Sequence, residues 1–196
     1  MPSGGLQHLY EHRPQLAAEL YTLRDGAGAG IQMQIRIAQS SDVEAVTLVI
    51  NTAFKQAESF FVERDRVDAA AVRKFLQTGE FLLLEDENGL VGCVYVEKRG
   101  ERAYTGLLAV DPARQGCGLG SRLMAAAEDH CRNAGCRVMD LRIVNLRREL
   151  PEFYLRRGYR HTGTAPFTPG IATKLPCHFI NMAKPLTHGD AEVRKR

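Results

Sequence analysis

VDPARQGCGLGSRLM, residues 110–124, follows an apolar run and precedes a helical pattern. Gly116, Gly118 and Gly120 fall within five positions. Glycine loses more backbone freedom on folding than any other residue, so three together imply a ligand that must approach the main chain closely. A helix start supplies the means. Its first amides lack helical partners, and the helix dipole adds about half a positive charge there. Gln115 to Ser121 therefore reads as an anion cradle, most naturally for phosphate.

Two phosphate motifs are excluded by their own requirements. A nucleotide P-loop needs Gly-Lys-Ser/Thr, and Gly120–Ser121–Arg122 has no such lysine. A dinucleotide fingerprint needs GxGxxG, and Ser121 occupies the sixth place. Asp140, about 20 residues on, fits an NAD(P)-dependent oxidoreductase. The segment, however, lies mid-chain after a meander and does not open a strand–helix–strand unit.

Working outward, the strand LLAV runs into a Val-Asp-Pro turn and then Gln115-Gly116-Cys117-Gly118-Leu119-Gly120. This resembles the acyl-CoA loop of the GNAT N-acetyltransferases, Q/R-x-x-G-x-G/A, with Gln115, Gly118 and Gly120 on its fixed positions. FYLRRGY (153–159) resembles the family's F/L-Y-x-x-x-G-F/Y signature, and residues 145–167 resemble a bacterial subgroup. The likeness extends over the element order from Ile31 onward.

That order is read from periodicity. IQMQIRIA (31–38) alternates as a half-buried strand. SSDVEAVTLVINTAF reads as a helix, with Ser40 or Ser41 as cap, Glu44 at capping-box spacing, and Val43, Val46, Leu48, Val49 and Ile50 on its apolar face. AAAVRKFLQT is a short helix that Gly79 ends. EFLLLED and LVGCVYVEKRG flank a turn at Asn88–Gly89, and a second turn near Gly100 leads into AYTGLLAV. Leu119, Leu123, Ala127, Cys131 and Ala134 form a helical stripe closed by Gly135. VMDLRIV, the short helix PEFYLRRG, YRHTG and CHFINMAK complete the chain.

The fold class is α+β. The resemblance implies a mixed, mostly antiparallel sheet of about six to seven strands with a splayed central parallel pair, flanked by about four helices. We take residues 31–186 as the catalytic domain and 187–196 as a charged tail. In residues 1–30, Leu6, Leu9, Tyr10, Leu16, Ala17, Leu20 and Tyr21 recur at helical spacing before a DGAGAG joint. That reads as a helix ending near Arg24, either serving a partner or a second copy in a homodimer, or dispensable.

Composition narrows the function. The 196 residues suit one domain, and a net charge of +3 gives no footprint for nucleic acid or membrane. Nothing approaches the ~20 apolar residues of a membrane span. Cys93, Cys117, Cys131, Cys136 and Cys177 are odd in number and form no CxxC pair, which argues for reduced thiols in the cytoplasm and for no metal.

The resemblance implies acetyl transfer from acetyl-CoA to a small-molecule or peptide amine by direct attack in a ternary complex, without metal. Leu108, Ala109 and Val110 would pair with pantetheine as with a further strand. Amides of Gln115, Gly116, Cys117, Gly118, Leu119, Gly120 and Ser121 would hold the diphosphate, and an amide near Leu108 would polarise the thioester carbonyl. Arg114, Arg122 and Arg148 are candidates for the 3′-phosphate, and Asn145 for the pantetheine arm. Tyr154 would be the general acid. For the base, Glu97 on the third strand is the principal candidate, with Glu63 and Asp65 behind it. Of Phe60 and Phe61, one would line the acceptor pocket, whose wall is residues 55–73. The rival reading is an acyl-CoA-binding sensor without catalysis.

Overall fold

The computed structural model describes residues 19–24 and 30–186. Its strands and helices, in chain order, are β1 (Glu19–Arg24), β2 (Gly30–Ile37), α1 (Val43–Glu58), α2 (Ala69–Thr78), β3 (Glu80–Asp86), β4 (Gly89–Arg99) and β5 (Arg102–Val110), then α3 (Leu119–Asn133), β6 (Val138–Val144), α4 (Leu150–Leu155), β7 (Arg160–Pro166) and β8 (His178–Pro185). The strands form one sheet of order β1-β2-β3-β4-β5-β6-β8-β7. All neighbours are antiparallel except β5 and β6.

Period-two alternation divides the core. Leu82, Leu84, Val94, Val96, Met139 and Leu141 face α3, where Leu119, Leu123, Ala127 and Cys131 repeat every fourth residue. Phe81, Leu83, Cys93 and Tyr95 face the other way, onto Val43, Val46, Ile50 and Ala53 of α1 and Val72 of α2. Each fully buried aliphatic side chain of this kind contributes about 1.5–3 kcal/mol. Leu48, expected on the apolar face of α1, is 69% exposed, because it falls outside the arc of Val43, Val46, Val49, Ile50 and Ala53.

Three local expectations are corrected. The stretch expected to end a helix at Arg24 is strand β1, with Arg24 opposite Gly30 of β2. Tyr21 and Thr22 favour extended backbone, and the open edge of β2 offers hydrogen bonds that outweigh the helical spacing of Leu16 and Leu20. The domain drawn at residues 31–186 thus gains a strand at its edge. The rest of the expected helix, most of the joint and the tail lie outside the described residues.

The start of α1 is capped from a different position. A 3-10 turn at Ser40–Asp42 precedes it, and the Gln39 amide donates to Asp42 at 2.7 Å. Arg36 of β2 clamps this turn to the sheet through Asp42 at 2.7 and 2.9 Å and Glu85 at 2.5 and 2.9 Å. The Arg36 guanidinium is the main reason the Asp42 carboxyl lies below its ordinary range. Its stabilising effect is complete above the unfolded value of ~3.9 and disappears as pH falls through the lower folded value. Asp42→Asn should therefore reduce urea-unfolding stability at pH 7 by up to about 1 kcal/mol, a screened pair's worth. At pH 3 the difference from the unsubstituted chain should shrink.

Gly79 ends α2, but not through a left-handed turn: its φ is −158°. A Cβ there would lie 2.3 Å from the Val96 carbonyl oxygen and 2.6 Å from the Tyr95 hydroxyl. Space, not φ, requires glycine. Gly79→Ala should destabilise by about 1–3 kcal/mol in denaturant unfolding, as overpacking against rigid backbone does.

Candidate active site

The site is created where the sheet comes apart. β5 and β6 pair only from Arg102 to Thr105 against Val138 to Leu141. Beyond that, β6 follows β8, with Arg142, Ile143 and Val144 opposite Asn181, Ile180 and Phe179. β5 stays with β4 through a bulge: Cys93 opposes Ala109 and Tyr95 opposes Gly106, so Leu107 and Leu108 together face Val94. Leu107 takes φ 50°, costly for a branched residue and found where surrounding structure enforces it. The bulge bends β5 away from β6 and opens a wedge.

At the outer end of β5 the chain turns through Asp111, whose carboxylate accepts from the Ala113 amide at 2.9 Å. Gly116 and Gly118 have φ 84° and 79°. Gly118 is the cap of α3, and its carbonyl accepts from the amides of Ser121 and Arg122. The Gln115 amide bonds weakly to Pro112 at 3.4 Å. Among the described residues, the amides of Gly116, Cys117, Gly118, Leu119 and Gly120 meet no acceptor. Five free amides at the start of a 15-residue helix, with open space where Cβ atoms of Gly116 and Gly118 would stand, fit a diphosphate. The expected span of Gln115 to Ser121 thus narrows to its middle five amides, the outer two having internal partners.

Arg157 closes one side of this turn. It donates to the Ser121 hydroxyl and, at 2.6 Å, to the Phe153 carbonyl, and its guanidinium lies 3.4 Å from the Phe153 ring centroid. Burial pushes its pKa down. The sequence reading passed over this arginine, although it sits within FYLRRGY. Of the arginines singled out, Arg114 is bound to Asp86, whose side chain is buried, and so fastens the turn to β3. Arg148 is exposed. Arg122 lies on the first turn of α3.

Three cavities follow one another from the glycine turn. A groove of about 270 Å³ lies among Gln115, Val110, Leu108, Phe54 and Arg147. It shares Leu108, Phe54 and Arg147 with a central cavity of about 430 Å³ in the wedge, which Tyr154 and Tyr104 also line. The central cavity shares Phe54, Glu58, Arg66 and Ile171 with an outer one of about 440 Å³, completed by residues 62–65, Phe167 and Lys174. Of the stretch 55–73, Lys55, Glu58, Ser59 and residues 62–66 line the outer cavity. Its aromatics are Phe54 and Phe167: Phe61 is buried core and Phe60 is 51% exposed, and neither lines it.

Tyr154 stands at the middle of this path. It is 6% exposed, and its ring meets Phe153 and Tyr159 edge-on at 4.9 and 5.5 Å. Burial pushes its phenol up to about 12, against the opposing pull of Arg157 and Arg147. Leu108 lines the wedge, while Ala109 points into the core beneath α1 and the Val110 carbonyl accepts from the Gln115 side chain at 3.1 Å.

Two expected residues are not brought here. The Asn145 side-chain oxygen accepts from the His178 amide at 2.8 Å, which ties β6 to β8, and Asn145 lines none of these cavities. Glu97 is gripped by Arg99 at 2.7 and 2.8 Å, which holds its carboxyl below the ordinary range, and it too lies outside the cavity lining. Tyr95, whose hydroxyl donates to Glu97 at 3.4 Å, stands between them.

Arg147 and Glu58 were not singled out in the sequence. Glu58 ends α1 and is 6% exposed, with Arg66 and Arg147 each 3.7 Å away. Burial raises its carboxyl above the ordinary range. No group of His, Cys, Asp and Glu among the described residues could hold a metal ion, and no described helix is long and apolar enough to cross a membrane.

Residues 77–161 match the family model for an acetyltransferase (GNAT) domain. The chain is 38% identical over 89 residues to a blasticidin-S acetyltransferase of Streptomyces morookaense, a match covering 44% of this chain and 61% of that protein. The solved yncA protein of Salmonella typhimurium with its cofactor acetyl-CoA superimposes with TM-score 0.60 at 23% identity, covering 81% of this chain and 96% of that one. The ribosomal-protein-S18-alanine N-acetyltransferase of Escherichia coli does so with TM-score 0.63 at 16% identity, covering 82% and 98%.

Proposed function

We propose that the chain is a GNAT acetyltransferase that moves an acetyl group from acetyl-CoA to a primary amine of a small molecule or peptide by direct attack in a ternary complex, a reading supported by the family-model match over residues 77–161 and the likeness to a blasticidin-S acetyltransferase. The observation that carries this reading is a row of three cavities, each sharing lining residues with the next. One end is a turn of free amides suited to a diphosphate, the middle is a wedge beside Tyr154, and the far end is a second chamber. Two substrates entering from opposite ends would meet at the wedge. No cysteine lines the path, which favours transfer without an acyl-enzyme.

Residue roles follow from position. The five turn amides and Arg157 hold the diphosphate end. The edge of β5 that β6 leaves behind, from Leu108 to Val110, directs the pantetheine arm inward. Fixed dipoles at the bulge polarise the thioester carbonyl, a large effect in a site closed to water. The Tyr154 hydroxyl hydrogen-bonds the departing sulfur. Acetyl-CoA supplies the activated acetyl group, and we place the reaction in the cytoplasm, where five free thiols stay reduced.

The test is thiol release from acetyl-CoA with a panel of primary amines that includes blasticidin S and an alanine-terminated peptide. Amine-dependent release is expected, with acetyl-CoA and not NAD raising the melting temperature. Stabilisation by acetyl-CoA with no release above hydrolysis would reduce the chain to a binding module. Stabilisation by NAD alone would overturn the assignment.

A further inference from the structure

Glu58 is a buried carboxylate at the junction of the central and outer cavities, lining both. Among the described residues no N–H or O–H comes within hydrogen-bond distance of it; its two arginine neighbours stop at 3.7 Å. The two ion pairs offset its burial, but its oxygens accept no hydrogen bond and stay open to a donor from either cavity. We propose that Glu58 receives the acceptor's ammonium and takes its proton, so that the acceptor is a small-molecule primary amine, positively charged and carried on an apolar body.

The inference rests on the acetyltransferase reading above and supplies its missing base. Glu58 stands on the chamber side of the wedge, opposite the glycine turn. Phe54, Val62, Phe167 and Ile171 give that chamber apolar walls for the body of the amine. Glu97 is outside the path and held by Arg99. Other charged groups share its cavities: Arg66 and Arg147 beside it, Lys55 on its own helix, and Lys174, paired with Glu63 at 2.9 Å, before β8. Across the central cavity stand Tyr104 and Arg142 on β5 and β6, with Tyr154 on α4. Glu63, Arg64 and Asp65 are exposed at the outer rim.

An alkylammonium has a pKa of ~10.4, so it is almost wholly protonated at neutral pH and cannot attack. Glu58 accepts one proton and leaves a neutral amine. The nitrogen lone pair then forms the C–N bond as the C–S bond breaks, the nitrogen releases its second proton, and the sulfur is protonated. Ammonium and thioester become amide, thiol and one proton, which Glu58 returns to solvent through the outer chamber.

The test compares the unsubstituted chain, Glu58→Gln and Glu58→Asp, using phenethylamine as acceptor probe. Acetyl-CoA affinity, measured in the same samples, should be unchanged, which shows that the variants fold. For Glu58→Gln we expect kcat/KM to fall at least about 100-fold, the usual worth of a general base. Its residual rate should climb about tenfold per pH unit towards the amine's own pKa. The unsubstituted chain should level off once Glu58 is ionised, and Glu58→Asp should keep that plateau at a lower rate. With CoA bound, phenethylamine should bind the unsubstituted chain more tightly than 2-phenylethanol, and Glu58→Gln should abolish that preference. An unchanged rate and plateau in Glu58→Gln, loss of the plateau in Glu97→Gln instead, or no preference for the ammonium would overturn the proposal. Failure of the unsubstituted chain to bind acetyl-CoA would overturn the transferase reading itself, and this assignment with it.

Discussion

Tyr154→Phe is expected to lower kcat for amine acetylation by about 100- to 1000-fold while leaving acetyl-CoA affinity within about twofold. The ring is enclosed by Phe153 and Tyr159, and phenylalanine preserves those edge-on contacts. Only the hydroxyl is removed, on a residue that lines the wedge. A thiolate leaving there has an ordinary pKa of ~8.5. The buried phenol, at about 12, is the weaker acid. On the proposed mechanism Tyr154 would act mainly as a hydrogen-bond donor to developing negative charge in a site of low dielectric. The active form is the neutral phenol, lost only as pH rises through about 12. The kcat profile of the unsubstituted chain should show no descending limb between about pH 8 and 10, and stopped-time thiol assays over that range check it. Turnover unchanged in Tyr154→Phe would remove the hydroxyl from the mechanism.

Gly118→Ala is expected to raise the Kd for acetyl-CoA by at least about 30-fold, with a loss of stability of no more than about 1–2 kcal/mol. A Cβ at this position meets nothing within 4 Å, so the fold itself does not obstruct it. The backbone, however, holds φ 79° at the cap of α3. An L-residue there costs about 1–2 kcal/mol, and relaxation out of the left-handed region turns the neighbouring amides away from their common target. The contrast is Gly120, which is helical. Its added methyl would touch Leu108 and Phe153 at 3.9 Å, ordinary contact, so Gly120→Ala should change affinity far less. Isothermal titration of the two variants separates a cradle that depends on main-chain direction from one that merely lacks side chains. Equal affinities would contradict the cradle.

The sequence exposes those parts of the protein that depend on local chemistry. The continuous apolar run of EFLLLED and the stripe from Leu119 to Cys131 each reflect one element's own residues and appear as read, whereas the turn signalled by Asn88–Gly89 falls on Glu87 and Asn88, with Gly89 opening β4 opposite Asp86. The glycine turn was legible because left-handed backbone and free amides leave a glycine signature. What depends on distant partners was not. Glu58 sits among mixed charges in the sequence, and its neighbours Arg66 and Arg147 reach it from separate loops. Glu97 is suitably placed along β4, but Arg99, two residues away on the same strand face, captures it. Asn145 resembles a ligand residue by position, yet the His178 amide from β8 engages its oxygen. Gly79 is a helix end in sequence, and only the sheet shows that the Val96 carbonyl leaves no room for a methyl group.

The most direct test of the central claim is a crystal structure of the chain with coenzyme A. Diphosphate oxygens should lie about 3 Å from the amides of Gly116 to Gly120, with the pantetheine arm along Leu108 to Val110 and the sulfur beside the Tyr154 hydroxyl. A coenzyme bound away from that turn, with the wedge between β5 and β6 empty, would contradict the account.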